Sequence, residues 1–244
     1  MGSLITVHKL IKRFGAKVVL RQLDFSAETG EFVALLGPNG AGKTTFLRIL
    51  ASLARPSFGE VWVAGYRLPQ QAAAVRRSLG VVSHQPLLYG DLSAEENLQF
   101  YGRMYAVADL RKRIQDVLEL VGLSARQRDL VRTFSRGMQQ RLAIGRAILH
   151  DPNLLLLDEP HTGLDQDACD MLDKALKQIA TRGRTVVMTS HDLARVEDLA
   201  SRFDVLASGQ IVSSIPAAIL PRDGLLAFYR HALEQQRALK AGGA

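Results

Sequence analysis

An α/β fold is predicted for this chain by three features of its sequence. β-rich runs occupy both ends of the chain, helical periodicity fills the middle, and a glycine-rich loop joins an apolar run to a helix near residue 40. Runs such as Leu154-Leu155-Leu156-Leu157 and Val186-Val187-Met188 are apolar at every position. Alternation disappears when a strand is covered on both faces, so these runs point to parallel strands inside a flanked sheet.

The elements follow in order. Residues 6–11, 23–27, 32–36 and 60–63 read as strands, separated by Gly15, Gly30 and Gly65. Between the third and fourth strands a helix is expected from about residue 44 to 53, and Pro56 enforces its end. Residues 80–83 form a further short apolar run. From Ser93 to about His150 the spacing is helical: Leu110, Ile114, Val117, Leu118 and Val121 fall three and four apart, on one face. Beyond Pro152 strands return at 154–157, 185–189, 205–207 and, after a Ser208-Gly209 turn, 211–213. Residues 224–239 predict a terminal helix with a frayed tail at 241–244.

A length of 244 residues suits one large domain or two small ones with a sizeable core. Apolar residues make up 47% and charged residues 23%, which excludes disorder, collagen-like repetition and a disulfide scaffold. The single cysteine, Cys169, cannot form an internal disulfide, and nothing argues for secretion. No signal peptide is visible, and the uncharged stretch 205–221 is too interrupted to span a membrane. The net charge of +7 admits nucleic acid, anionic lipid or a phosphorylated ligand without choosing among them.

Gly37-Pro38-Asn39-Gly40-Ala41-Gly42-Lys43-Thr44 fits G-x-x-x-x-G-K-[ST], with a buried strand before it and a helix after it. A chain wrapping a phosphate must turn its amide N–H groups inward, and glycine permits those backbone angles. The helix aims its N-terminal dipole at the same anion. Lys43 supplies a positive charge to the β- and γ-phosphates, and Thr44 a hydroxyl ligand to Mg²⁺. The apolar strand 154–157 ends in Asp158 and Glu159. Asp158 is expected to hold Mg²⁺ through its water shell, and Glu159 to accept a proton from the water attacking the γ-phosphate.

At Phe134-Ser135-Arg136-Gly137-Met138-Gln139-Gln140-Arg141 the chain resembles the ATP-binding cassette (ABC) family, whose signature motif opens a helix there. The resemblance extends to Gln85 (Q-loop), Asp165 in Thr162-Gly163-Leu164-Asp165 (D-loop) and His191 in Thr189-Ser190-His191-Asp192 (H-loop), in matching order and spacing. It implies a P-loop NTPase core with an antiparallel β subdomain and an inserted α-helical subdomain. Residues 1–215 would form one ATPase domain, its core at 1–87 and 151–215 and its helical insertion at 88–150, followed by a helical extension at 216–244. It also implies ATP and Mg²⁺ as ligands, with Thr45 at the nucleotide and Gln85 at the metal and the hydrolytic site. His191 would bond the γ-phosphate and help position Glu159. Phe14 sits where the family stacks an aromatic ring on adenine; a core phenylalanine is the alternative. Each ATP would lie between one subunit's cradle and the other's signature motif in a head-to-tail homodimer. Phe134, Arg136 and Met138 depart from the family's usual Leu-Ser-Gly-Gly-Gln, while Ser135 and Gly137, the residues that meet the phosphate, are kept.

With one cassette and no membrane-spanning part, the chain resembles a separate ATPase subunit, peripheral on the cytoplasmic side of a membrane and docked on an integral membrane subunit. Residues 82–98 and 158–167 resemble the heme-exporter subgroup of cytochrome c maturation (CcmA type), although tyrosine is more familiar at His161. Heme export with a CcmB-like membrane subunit is therefore expected. The alternatives are an exporter of drugs, polysaccharides or lipids, which shares the Ser135-Arg136-Gly137-Met138 pattern, and a non-transport ATPase on nucleic acid or the ribosome. No nucleic-acid partner is expected. His84 and His161 are expected to pack or face solvent, and Cys169 to be an inert helix residue. Arg111, Lys112, Arg113, Arg126, Arg128 and Arg132 are expected to form a solvated helical face.

Overall fold

The computed structural model describes residues 2–83 and 85–241. His84 and the 242–244 part of the tail lie outside the described residues. Strands β1 (Ser3–Phe14) and β2 (Lys17–Glu28) pair antiparallel, and β4 (Phe58–Val63) and β5 (Tyr66–Leu68) extend them to a sheet ordered β2-β1-β4-β5. The second sheet has the order β10-β9-β3-β8-β7-β6. In it β3 (Phe32–Leu36), β6 (Leu79–Val82), β7 (Leu154–Asp158), β8 (Thr185–Thr189) and β9 (Arg202–Ala207) run parallel, and β10 (Gln210–Pro216) turns back antiparallel at the edge.

The continuous apolar runs have the predicted cause. Leu154 and Leu156 of β7 join a core shared with the antiparallel sheet and helix α1 (Lys43–Leu50), while Leu155 and Leu157 point to the opposite face. That second core is built by α3 (Ala94–Met104), α4 (Leu110–Leu120), α5 (Arg136–Ile148) and α6 (Gln166–Thr181). It also takes in Leu225 from the C-terminal helix α8 (Gly224–Ala241), so the start of that helix docks on the same core. A capping box between Ser93 and Glu96 starts α3 and satisfies two orphan amides reciprocally.

Several elements differ from expectation. β1 and β2 run to 12 residues each; β1 buries only Ile5, Val7 and Leu10, so its ends carry no apolar run that would mark them. Helix α1 stops at Leu50, ahead of Pro56, and Ser52 (φ 59°) turns the chain left-handed there. Helices α2 (Ala72–Ser78) and α7 (Leu193–Glu197) each bury a single residue, so neither leaves a periodic signal. Arg113 is not on a solvated face. Its Nε and Nη2 donate to the carbonyls of Leu149 (2.9 Å) and Ile148 (2.6 Å), closing the C-terminal end of α5 with a cation. Burial, only partly offset by Asp151, lowers its pKa.

Candidate functional site

β3 delivers five buried residues and then breaks into the glycine-rich loop. Gly37 sits at φ 154°, and a Cβ there would collide with the Leu206 carbonyl on β9, so only glycine lets the loop turn against the neighbouring strand. Lys43 opens α1 and is buried; its Nζ donates to the Gly37 carbonyl at 2.7 Å and lies 3.6 Å from Glu159 Oε1. The loop floors a cleft of about 790 Å³ that contains residues 38–45, Glu159, Thr162 and His191. A pocket of that size suits a nucleotide, and a buried cation at a helix N-terminus suits its phosphates.

The acidic end of β7 faces the same floor. Asp158 Oδ1 accepts from Thr44 Oγ1 (3.1 Å) and Thr189 Oγ1 (2.8 Å). Two oxygen donors this close beside the cradle are the set that a hard divalent cation takes. Glu159 holds φ 51°, a left-handed conformation costly for a non-glycine residue. Its N–H donates to Thr189 Oγ1 (2.9 Å) and to the Thr189 carbonyl (3.2 Å), which locks that turn to β8. Its side chain has Oε2 2.6 Å from His191 Nδ1 and Oε1 facing Lys43. The carboxylate is thus aimed over the loop by an imidazole and an ammonium.

Of the residues expected at the site, Pro38, Asn39, Gly40, Ala41, Gly42, Lys43, Thr44, Thr45, Glu159 and His191 line one cleft, bounded at its floor by Gly37 and Asp158. Phe14, Gln85, Asp165 and Ser135, Arg136, Gly137, Met138 and Gln139 do not line it. Phe14 is 55% exposed with the Lys12 ammonium 4.6 Å from its ring centroid, so the core alternative does not hold. The backbone carbonyl of Gln85 accepts from Ser83 Oγ at 2.8 Å. Ser135 caps α5, its Oγ accepting from the Met138 N–H at 3.3 Å. Asp165 caps α6 by accepting from the Ala168 N–H at 2.8 Å. His161 packs: its buried ring places Nε2 2.6 Å from Asp173 Oδ1. Cys169 is buried in α6, and burial pushes its thiol pKa up, which disfavours the reactive thiolate.

Lys17, Val18, Val19 and Arg21 of β2 and the Ser208-Gly209 turn also wall the cleft, and sequence reasoning missed them. The turn itself was legible, but its place was not: Gly209 N–H donates to the Ala41 carbonyl (3.2 Å), and its carbonyl accepts from the Arg21 N–H (2.9 Å). Thr189, which holds both Asp158 and Glu159, was visible only as a strand end and as the first residue of the H-loop motif.

The family model described as ABC transporter matches residues 20–162. The chain is 36% identical over 212 residues to the linearmycin resistance ATP-binding protein LnrL of Bacillus subtilis, covering 86% of this chain and 68% of that protein. It is 36% identical over 215 residues to the Nod factor export ATP-binding protein I of Cupriavidus metallidurans, covering 87% and 71% respectively. Among solved structures, the dimeric post-hydrolysis state of the ATP-binding cassette MJ0796 bound to ADP and Pi superposes with a TM-score of 0.78. The two are 28% identical over 87% of this chain and 98% of that one.

Proposed function

The chain belongs to the ABC transporter family as an ATP-binding subunit, and from that premise we propose that it hydrolyses ATP to drive an exporter whose membrane part is a separate protein. The observation that carries this reading is the meeting of Lys43, Glu159 and His191 over the glycine-rich loop. Lys43 binds the β- and γ-phosphates, where its buried charge acts at low effective dielectric. Glu159 takes the proton of the attacking water as the water oxygen bonds to the γ-phosphorus and the bond to ADP breaks. His191 orients Glu159 and bonds the γ-phosphoryl oxygens. Thr44 and Asp158, with Gln85 by resemblance, would hold Mg²⁺, which when bound neutralises charge between the β- and γ-phosphates.

Ser135 and Gly137 act on the nucleotide of a second copy, which is consistent with their place outside the chain's own cleft and with the dimeric relative. Phe14 is exposed and open to an adenine ring. Residues 1–215 form the ATPase domain in this reading, with 88–150 as its helical insertion, and the extension that follows carries α8 (Gly224–Ala241). No helix among the described residues is long and apolar enough to cross a membrane.

For the cargo, the relatives favour a general exporter over the expected heme exporter, since they are named for linearmycin resistance and Nod factor export. The heme reading rests on the resemblance at residues 82–98 and 158–167. Cells lacking the chain separate the two: loss of c-type cytochromes supports heme, and normal levels leave the general exporter. The hydrolytic reading is tested by Glu159→Gln, expected to bind MgATP normally and turn it over about 10²–10⁴ times more slowly. Near wild-type turnover would remove Glu159 as the base.

A further inference from the structure

Glu159 and His191 reach the cleft on different segments, and their 2.6 Å contact depends on what holds those segments together. Glu159 leads into Pro160-His161, and His191 leads into α7. α7 has five residues and one buried side chain, too little to persist without outside support. Both segments are tied to one carboxylate on α6. Asp173 Oδ1 accepts from His161 Nε2 at 2.6 Å, and Asp173 Oδ2 accepts from Arg195 Nη1 at 2.8 Å. His161 lies two residues beyond Glu159, and Arg195 four beyond His191.

The surrounding contacts make this joint stiff. His161 Nδ1 is buried and has no partner among the described residues, so a hydrogen there would be an unsatisfied donor and the ring donates from Nε2. Arg195 is 13% exposed and spreads its guanidinium over α6, donating also to Asp170 Oδ1 (3.1 Å) and Gln166 Oε1 (2.7 Å). The Arg195 N–H donates to Asp192 Oδ1 at 3.3 Å, which fixes the first turn of α7 beside His191. Burial raises the Asp173 pKa, yet the hydrogen bonds from His161 and Arg195 and the charge of Arg195 together hold it below the ordinary carboxylate value.

We propose that Asp173 is a positioning residue for hydrolysis, its carboxylate shared between His161 and Arg195 so as to set Glu159 against His191. The inference rests on the roles given above to Glu159 and His191. Asp173→Asn preserves size but offers only one acceptor oxygen to two donors, so one of the two ties is lost. In steady-state ATP hydrolysis by the full chain, kcat is expected to fall about 10- to 100-fold, the scale of a displacement near 1 Å. The KM for ATP and the affinity for a fluorescent ATP analogue should stay within about twofold. Introduced into a His191→Ala background, Asp173→Asn should alter kcat by less than about twofold, because the route through His191 is already gone. Arg195→Lys retains the charge, loses the fork and should give a smaller kcat loss, which serves if the Asn variant folds poorly. The proposal falls if kcat is unchanged, if kcat and nucleotide affinity drop together, or if the loss is the same with and without His191. An inactive Glu159→Gln beside a normal Asp173→Asn would overturn this inference and leave the hydrolytic reading intact.

Discussion

Replacing Arg202 by methionine should destabilise the fold in a way that grows with pH. Arg202 begins β9, next to the strand that carries the phosphate loop, and pairs with Val33 across the sheet. Its Nη1 donates to both oxygens of Glu31 (2.8 and 2.9 Å), Nη2 to the Ser26 carbonyl (2.6 Å), and Nε and Nη2 to the two oxygens of Asp204 (3.1 Å each). Asp204 is 2% exposed, and Ser214 Oγ is its other donor. Methionine keeps most of the packing over the Phe25 ring but leaves a buried carboxylate without its cation. Breaking such a pair costs roughly 3–5 kcal/mol; with Ser214 still bonded, the lower end applies, about 3 kcal/mol. For a chain of this size that lowers Tm by about 6–12 °C. The pH dependence follows from burial, which raises the Asp204 pKa, and from Arg202, which pulls it back down. Without Arg202 it rises further, so the folded variant holds a proton that the unfolded chain has released. Stability then falls as pH climbs from the ordinary carboxylate range through the raised pKa. Thermal unfolding by circular dichroism, variant against wild type, should show a larger deficit near pH 7.5 than near pH 5. A Tm loss under about 2 °C, or a deficit that grows on acidification, would refute the reasoning.

Two further outcomes test the cleft and its complement. Lys43→Ala removes the buried ammonium, and by calorimetry MgATP affinity should fall at least tenfold, since a charged hydrogen bond contributes about 1.5–3 kcal/mol; unchanged affinity would contradict its phosphate role. Ser135→Ala should cost about 1 kcal/mol through the lost helix cap, leave ATP binding to the monomer intact, and weaken ATP-dependent dimerisation in gel filtration of the Glu159→Gln form; an equally stable dimer would reject its action on the partner's nucleotide.

How far the site could be read from sequence depends on whether its geometry is local. The strand–loop–helix unit at 32–50 was legible because its glycines, Lys43 and Thr44 stand at fixed spacing in consecutive residues between an apolar strand and a helix. β7 and β8 were legible because two-sided burial writes itself as an unbroken apolar run. Arg113 looked like surface charge, since nothing near residue 113 announces that the end of α5 lies beside it. Arg21 and Val19 reached the cleft only through the backbone tie from Gly209, across separate sheets. Nothing in the sequence singled out Arg195, because the partners of its two Nη atoms lie 22 to 29 positions away.

The packing at the start of α5 gives those distant ties a mechanical sense. Gly137 lies so near α6 that an added Cβ would stand 2.6 Å from the Ala168 side chain, and the Arg136 guanidinium covers Gly163. The first turns of α5 and α6 are therefore in direct contact, with Asp165 capping the second of them. Asp173 sits eight positions further along α6, about 12 Å down the helix axis. Leu172, Leu176 and Ile179 bury that helix in the core. The serine that would meet a partner's nucleotide and the carboxylate that would hold this chain's own Glu159 and His191 in place are thus joined through one buried helix.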